Sequence, residues 1–284
     1  MKSKLYKILT FVLVFVFLCA SALLLRQYLD TRRSSEANHQ AQTLANLPPE
    51  TPPTTQAPPA ETTLPVPEET IPETTAAPQE PPDDHVLRLQ DCDLDSLQAV
   101  NPDVIGWIFL PDTQIDYPLL HAADNETYLH TAWDGTSNVA GSIFLETRSN
   151  PDFTDFNTII YGHHMRNGSM FAPLLGYKDA GFTQAHPNVY IATADGIFRY
   201  SVFSAYEAPV VSDTYRLVFK NAAQKQIALN HYFSSSQWEP SLKPSIHDQV
   251  VTLSTCTGTG QYETRWVVQA VLSGFWEHEK AGFP

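Results

Sequence analysis

Val250-Val251-Thr252-Leu253-Ser254-Thr255-Cys256-Thr257-Gly258-Thr259-Gly260-Gln261-Tyr262-Glu263-Thr264-Arg265-Trp266-Val267-Val268 is the stretch on which the reading of the fold turns. Its β-branched run predicts a strand ending at the cysteine, and a glycine-rich turn separates it from a second strand opened by Arg265. A thiol at the mouth of a strand pair, with a cation nine residues on, suits a nucleophile. The same pattern also suits a core cysteine in a hairpin, because free Cys is among the most buried residue types.

Upstream, short apolar runs alternate with turn signals. Val104-Ile105-Gly106-Trp107-Ile108-Phe109-Leu110-Pro111 and Ile115-Asp116-Tyr117-Pro118-Leu119-Leu120 read as strands. So do Gly141-Ser142-Ile143-Phe144-Leu145 and Asn157-Thr158-Ile159-Ile160-Tyr161-Gly162. Val189 to Thr193 and Phe198 to Ser204 form a pair around Asp195-Gly196. Eight strands in all predict a mainly β fold, a barrel or sandwich. Leu87, Leu89, Leu94, Leu97 and Val100 suggest a short amphipathic helix at the start of this domain. A second helix is expected from near Asn221, inserted before the cysteine strand, because Val210 to Glu239 lacks Gly and Pro.

Charge divides the 284 residues into three parts: +5 over residues 1–33, −9 over residues 34–84 and −10 over residues 85–284. An acidic body without a basic stripe argues against nucleic acid, whose phosphates need Lys and Arg. Ile8 to Leu25 is an apolar run behind three lysines, about 27 Å long as a helix, which predicts an uncleaved signal anchor with its amino terminus inside the cell. Residues 34–84 hold 12 of the 22 prolines and no Lys or Arg, so they are expected to form a disordered linker ahead of a catalytic domain at residues 85–284. The three cysteines, Cys19, Cys92 and Cys256, are too few for a disulfide scaffold, and no CxxC pair suggests zinc.

A thiol needs help to ionise at neutral pH, and imidazole is the usual partner. Of ten histidines, His163 and His164 stand out because they end an apolar strand and open a polar loop. Neighbouring strand residues point to opposite sides, so one of the two is expected to serve the cysteine. No carboxylate or cysteine stands at ligand spacing to make them a metal pair.

These residues carry a resemblance. Thr252-Leu253-Ser254-Thr255-Cys256 with Arg265 is similar to the signature of the sortases, the cysteine transpeptidases of Gram-positive cell surfaces, and Tyr161-Gly162-His163-His164 resembles their histidine segment. Asn101-Pro102-Asp103-Val104-Ile105-Gly106-Trp107-Ile108, Ile115-Asp116-Tyr117-Pro118, Ala140-Gly141-Ser142-Ile143-Phe144-Leu145 and Gly168-Ser169-Met170-Phe171 resemble class B in particular, over about residues 86–276. The resemblance implies an eight-stranded sortase-type β-barrel with Cys256 as nucleophile, His163 as acid/base and Arg265 steadying the oxyanion. Ser254 and Thr255 are expected beside the bound peptide, and no carboxylate joins the set because Thr257-Gly258 follows the cysteine. It implies no cofactor and no metal. The expected partners are sorting-signal peptides of secreted proteins, a peptidoglycan cross-bridge or lipid II amine, and the membrane. The catalytic domain is expected outside the cell. The alternatives are a pilin polymerase using a lysine amine, or a non-catalytic surface scaffold with Cys256 buried or bridged to Cys92. Papain-like hydrolases place their cysteine before the histidine, and L,D-transpeptidases place arginine closer to it, so neither pattern fits.

Overall fold

A computed structural model describes residues 2–47, 80–240, 242–256 and 263–278. Eight strands close into a barrel: β1 (Val104–Phe109), β2 (Asp116–Leu120), β3 (Ile143–Leu145), β4 (Asn157–Tyr161), β5 (Asn188–Thr193), β6 (Gly196–Pro209), β7 (Val250–Cys256) and β8 (Thr264–Glu277). Their order around the barrel is β1-β2-β3-β4-β7-β8-β6-β5. β2–β3 and β4–β7 pair in parallel, and every other neighbour is antiparallel. The fold is mainly β, as expected, with a short helix α4 (Ala180–Ala185) before β5 and the helix before the cysteine strand present as α5 (Ala222–Ser235). Asn221 caps it through its side chain, which accepts from the Gln224 N–H.

Strand alternation sorts the apolar residues into an interior and an outer layer. Ile108, Leu119, Ile160, Ile191, Leu253 and Val268 fill the barrel. On one outer flank, Trp107, Phe109 and Tyr190 pack beneath helices; on another, Phe203, Tyr206, Val267 and Val271 pack beneath α5. Instead of one helix before Asn101 there are two, α2 (Asp84–Gln90) and α3 (Leu94–Val100). Asp93 interrupts them because its side chain caps α3 by accepting from the Ser96 N–H.

The first helix corrects the expected linker. α1 runs from Lys2 to Leu44 without a break, so the residues after 33 continue the helix instead of opening an extended segment. The reason is tertiary. Ala41, Ala45 and Leu47 are buried with Leu89, Leu97 and Trp107, and the Trp133 indole N–H donates to the Ala37 carbonyl at 2.7 Å. Ten of the 12 prolines and most of the acidic run lie in residues 48–79, outside the described residues.

Asp116 ties this flank together. It accepts from the Trp107 indole at 2.7 Å and from Gln42 of α1 at 3.0 Å, and it pairs with Arg88 of α2 at 2.8 Å. The two side chains of the pair are only 14 % and 9 % exposed. Removing one partner of such a buried pair strands the other charge, a loss of about 3–5 kcal/mol. Asp116→Ala is therefore expected to destabilise the full chain toward the lower end of that range, since Arg88 still covers the Phe109 ring. Denaturant unfolding in detergent measures it, and an unchanged midpoint would contradict the assignment.

Candidate active site

β4, β7 and β8 are consecutive around the barrel, and their registers align the candidate residues in one row. Tyr161 pairs with Ser254 in the parallel β4–β7 ladder, and the Gly162 N–H continues it by donating to the Ser254 carbonyl at 3.2 Å. Carrying that register two residues on sets His163 beside Cys256. On the other side Cys256 pairs with Arg265. Adjacent strands lie about 4.8 Å apart, so three neighbouring strands present an imidazole, a thiol and a guanidinium side by side. Alternation places all three on the outer face, with Tyr161, Ser254 and Val267 one step behind.

The imidazole is oriented by a backbone carbonyl. His163 Nε2 lies 2.8 Å from the oxygen of Leu129, the last residue of a 3-10 turn at Thr127–Leu129. A carbonyl only accepts, so Nε2 carries a proton and Nδ1 is the nitrogen left for proton exchange. His130 stacks on the His163 ring with centroids 6.3 Å apart. His164 forms an isolated antiparallel backbone bridge with Met170.

Two glycines permit this geometry. An added Cβ at Gly162 would sit 2.4 Å from Ile143 Cδ1 and 2.7 Å from the Phe171 ring. Gly141 has φ +58° and lies against the 127–129 turn, where a Cβ would meet the Tyr128 carbonyl at 2.4 Å and the Leu129 carbonyl at 2.8 Å.

Around the row sits a group of tyrosines. The Tyr215 hydroxyl is 3.0 Å from Ser254 Oγ. Burial pushes the Tyr215 phenol up, and the Ser254 hydrogen bond and the Arg265 charge pull it part of the way back, which sets it close to both candidate residues. Asn157 holds the Tyr215 segment in place: fully buried, it donates to the Thr214 and Arg216 carbonyls and accepts from Thr252 Oγ1 at 2.7 Å. The Tyr161 hydroxyl donates to Glu146 at 3.2 Å, and this buried carboxylate also accepts from Asn125 at 2.7 Å and from Arg148 at 2.9 Å. Burial acts to raise the Glu146 carboxyl, but Arg148 and Asn125 outweigh it and hold it below its ordinary 4.5.

Ser254 stands beside the row, one alternation behind Cys256. Thr255 does not: it is 2 % exposed and alternates toward the barrel interior with Val251 and Leu253, so its side chain is turned away from the outer face. The turn from Gly258 to Gly260 lies outside the described residues. Cys92 and Cys256 are both unbridged. Cys92 packs against the α1–α3 flank, where burial first and Asp116 second push its thiol up to about 12. Cys256 is half-buried at a strand tip. Among the described residues no three His, Cys, Asp or Glu side chains converge to hold a metal ion. The Leu129 carbonyl escaped sequence reasoning because any residue supplies one. Tyr215 escaped it because its loop was read only for helix content.

The Sortase domain family model matches residues 108–273, more than half of the chain. The chain belongs to the sortase family. It is 37 % identical over 181 residues to sortase B of Listeria monocytogenes, covering 63 % of this chain and 74 % of that protein. With sortase B of Staphylococcus aureus it is 30 % identical over 174 residues, covering 61 % and 71 %. A Bacillus anthracis sortase B structure, solved in complex with AAEK1, superposes with TM-score 0.66 at 27 % identity, covering 87 % of this chain and 99 % of that one. A Staphylococcus aureus sortase B–substrate complex superposes with TM-score 0.60 at 30 % identity, covering 63 % and 84 %. The family, the relatives and the neighbours place the chain in class B, and it is a transpeptidase of the sortase type.

Gly141→Ala is expected to lower kcat/KM by about 10²-fold, because it drives the Leu129 carbonyl away from the imidazole and small misplacements cost that much. Its left-handed strain adds about 1–2 kcal/mol of instability. Steady-state kinetics beside a thermal melt separate the two effects, and wild-type kcat/KM would refute the coupling. For Glu146 the folded carboxyl is depressed, so its ionised form contributes stability above pH 4.5 that is lost as pH falls through the lowered value. Glu146→Gln should therefore flatten the acid limb of the stability–pH profile, which thermal melts at stepped pH would record.

Proposed function

We propose that Cys256 is the nucleophile, His163 the acid/base and Arg265 the oxyanion donor of a transpeptidase that anchors secreted proteins to the cell wall. What supports this reading is the row of imidazole, thiol and guanidinium set by the β4–β7–β8 register. Thiolate and imidazolium form the resting pair. The Cys256 sulfur attacks a backbone carbonyl in a sorting signal, forming a C–S bond and a tetrahedral oxyanion. Arg265, always protonated, lies on the neighbouring strand to receive that charge. The C–N bond then breaks, and His163 gives the Nδ1 proton to the leaving amine while Nε2–H stays on Leu129. A thioester remains. An amine of the peptidoglycan cross-bridge or of lipid II attacks it, returns a proton to His163, and leaves with the acyl group in a new amide.

Ser254 and Tyr215, hydrogen-bonded to each other beside the thiol, form the wall on which the peptide lies. Support for a peptide donor comes also from the Staphylococcus aureus relative, solved as a substrate complex. The apolar part of α1 is long enough to cross a bilayer, and we place it there, with the barrel on the outer side.

Cys256→Ala is expected to abolish both peptide cleavage and thioacyl-enzyme formation, read by a quenched-peptide assay and intact-mass spectrometry. Arg265→Ala should lower kcat by about 10²–10³-fold, the usual cost of one oxyanion donor. Full turnover in either variant would overturn the assignment.

A further inference from the structure

Contacts between α1 and the barrel form a ladder that descends toward the apolar end of the helix. Gln42 bonds Asp116, the Ala37 carbonyl accepts from Trp133, and Ser34 Oγ donates to Asn138 at 2.7 Å. At 1.5 Å per residue these rungs stand ~26, ~18 and ~14 Å above Leu25, the last residue of the apolar run. The barrel reaches lower still. Val139, 52 % exposed, faces a groove whose far wall is Ala22, Leu25 and Leu29. A second groove sets Leu23 and Arg26 opposite His164, Met165 and Arg166, the loop that follows His163. The helix walls of the two grooves run from Ala22 up to Ser34, so the barrel loops lining them begin where hydrocarbon gives way to a headgroup layer ~6 Å deep and rise from there.

Charge follows the same surface. Residues 85–284 carry −10, yet the two grooves are lined by Arg26, Arg33 and Arg166 against one acidic side chain, Asp30. An anionic lipid surface repels the body of this domain and attracts this face, which selects one orientation.

We propose that the face formed by residues 137–139 and 164–167 rests on the bilayer, with Val139 in the headgroup layer and Arg26 and Arg166 against the phosphates of anionic phospholipids. This rests on the reading of α1 as a membrane anchor. It holds the edge of the barrel that carries His163 at membrane level, so the site works within the first layer above the lipid.

The full chain in nanodiscs of phosphatidylglycerol and phosphatidylcholine tests it. A photoreactive p-benzoylphenylalanine is placed singly at position 139, at position 15 inside the apolar run, and at position 87 on α2 beside the upper rungs. Lipid adducts at 15 and 139, with none at 87, are expected by mass spectrometry. Arg166→Glu, or discs of phosphatidylcholine alone, should lower the yield at 139 several-fold and leave position 15 unchanged. Adducts at 15 but not at 139 would overturn the proposal while leaving the anchor standing. No adduct at 15 would remove the anchor and the proposal together. A yield at 139 indifferent to both Arg166 and lipid charge would overturn the phosphate contact.

Discussion

The parallel pairing of β4 with β7 is the constraint on which the site depends. Residues 163 and 256 are far apart in the chain, and only a shared ladder can hold them side by side. Because side chains alternate with period two, a slip of one residue would turn Cys256 into the barrel and bring Thr255 out. The register is protected by burial on both faces. Val251 and Leu253 are locked into the interior, while Thr252 is fixed outside by its hydrogen bond to Asn157. Neither set can exchange faces without leaving polar groups unpaired or apolar groups wet.

A second constraint acts on the imidazole from outside the sheet. The segment between β2 and β3 loops over the barrel edge, and its Leu129 carbonyl decides which nitrogen of His163 is free. Gly141 lets that segment fold back on itself closely enough to deliver the carbonyl. Trp133 and Asn138 of the same segment are held by α1. One stretch of irregular chain thus joins the long helix to the His163 ring.

Much of this was legible in the sequence because it rests on local pattern. The β-branched run to Cys256, the strand before His163 and the cap at Asn221 each announce themselves by residue type and period. The features that were not legible depend on partners distant in the chain. Residues 34–44 look like the start of a polar linker until Trp133, Asp116 and Leu97 supply the surface that makes them helix. Thr255 sits beside the cysteine in sequence and faces the other way in space. Tyr215 and the Leu129 carbonyl carry no signature, since neither a lone tyrosine nor a backbone oxygen has a pattern to read.

The docking of α1 also changes what the proline-rich residues 48–79 connect. The chain lies against the barrel at Leu47 and is again against it at Glu80, whose carbonyl accepts from the Trp276 indole at 3.0 Å. Both ends of that segment therefore belong to the same folded body. A protease that nicks it produces two pieces that remain joined through Ala41, Ala45 and Asp116, and the enzyme is not shed from its helix. The acidic, proline-rich segment is thereby freed from any duty as a leash, and its length can drift without altering where the barrel stands.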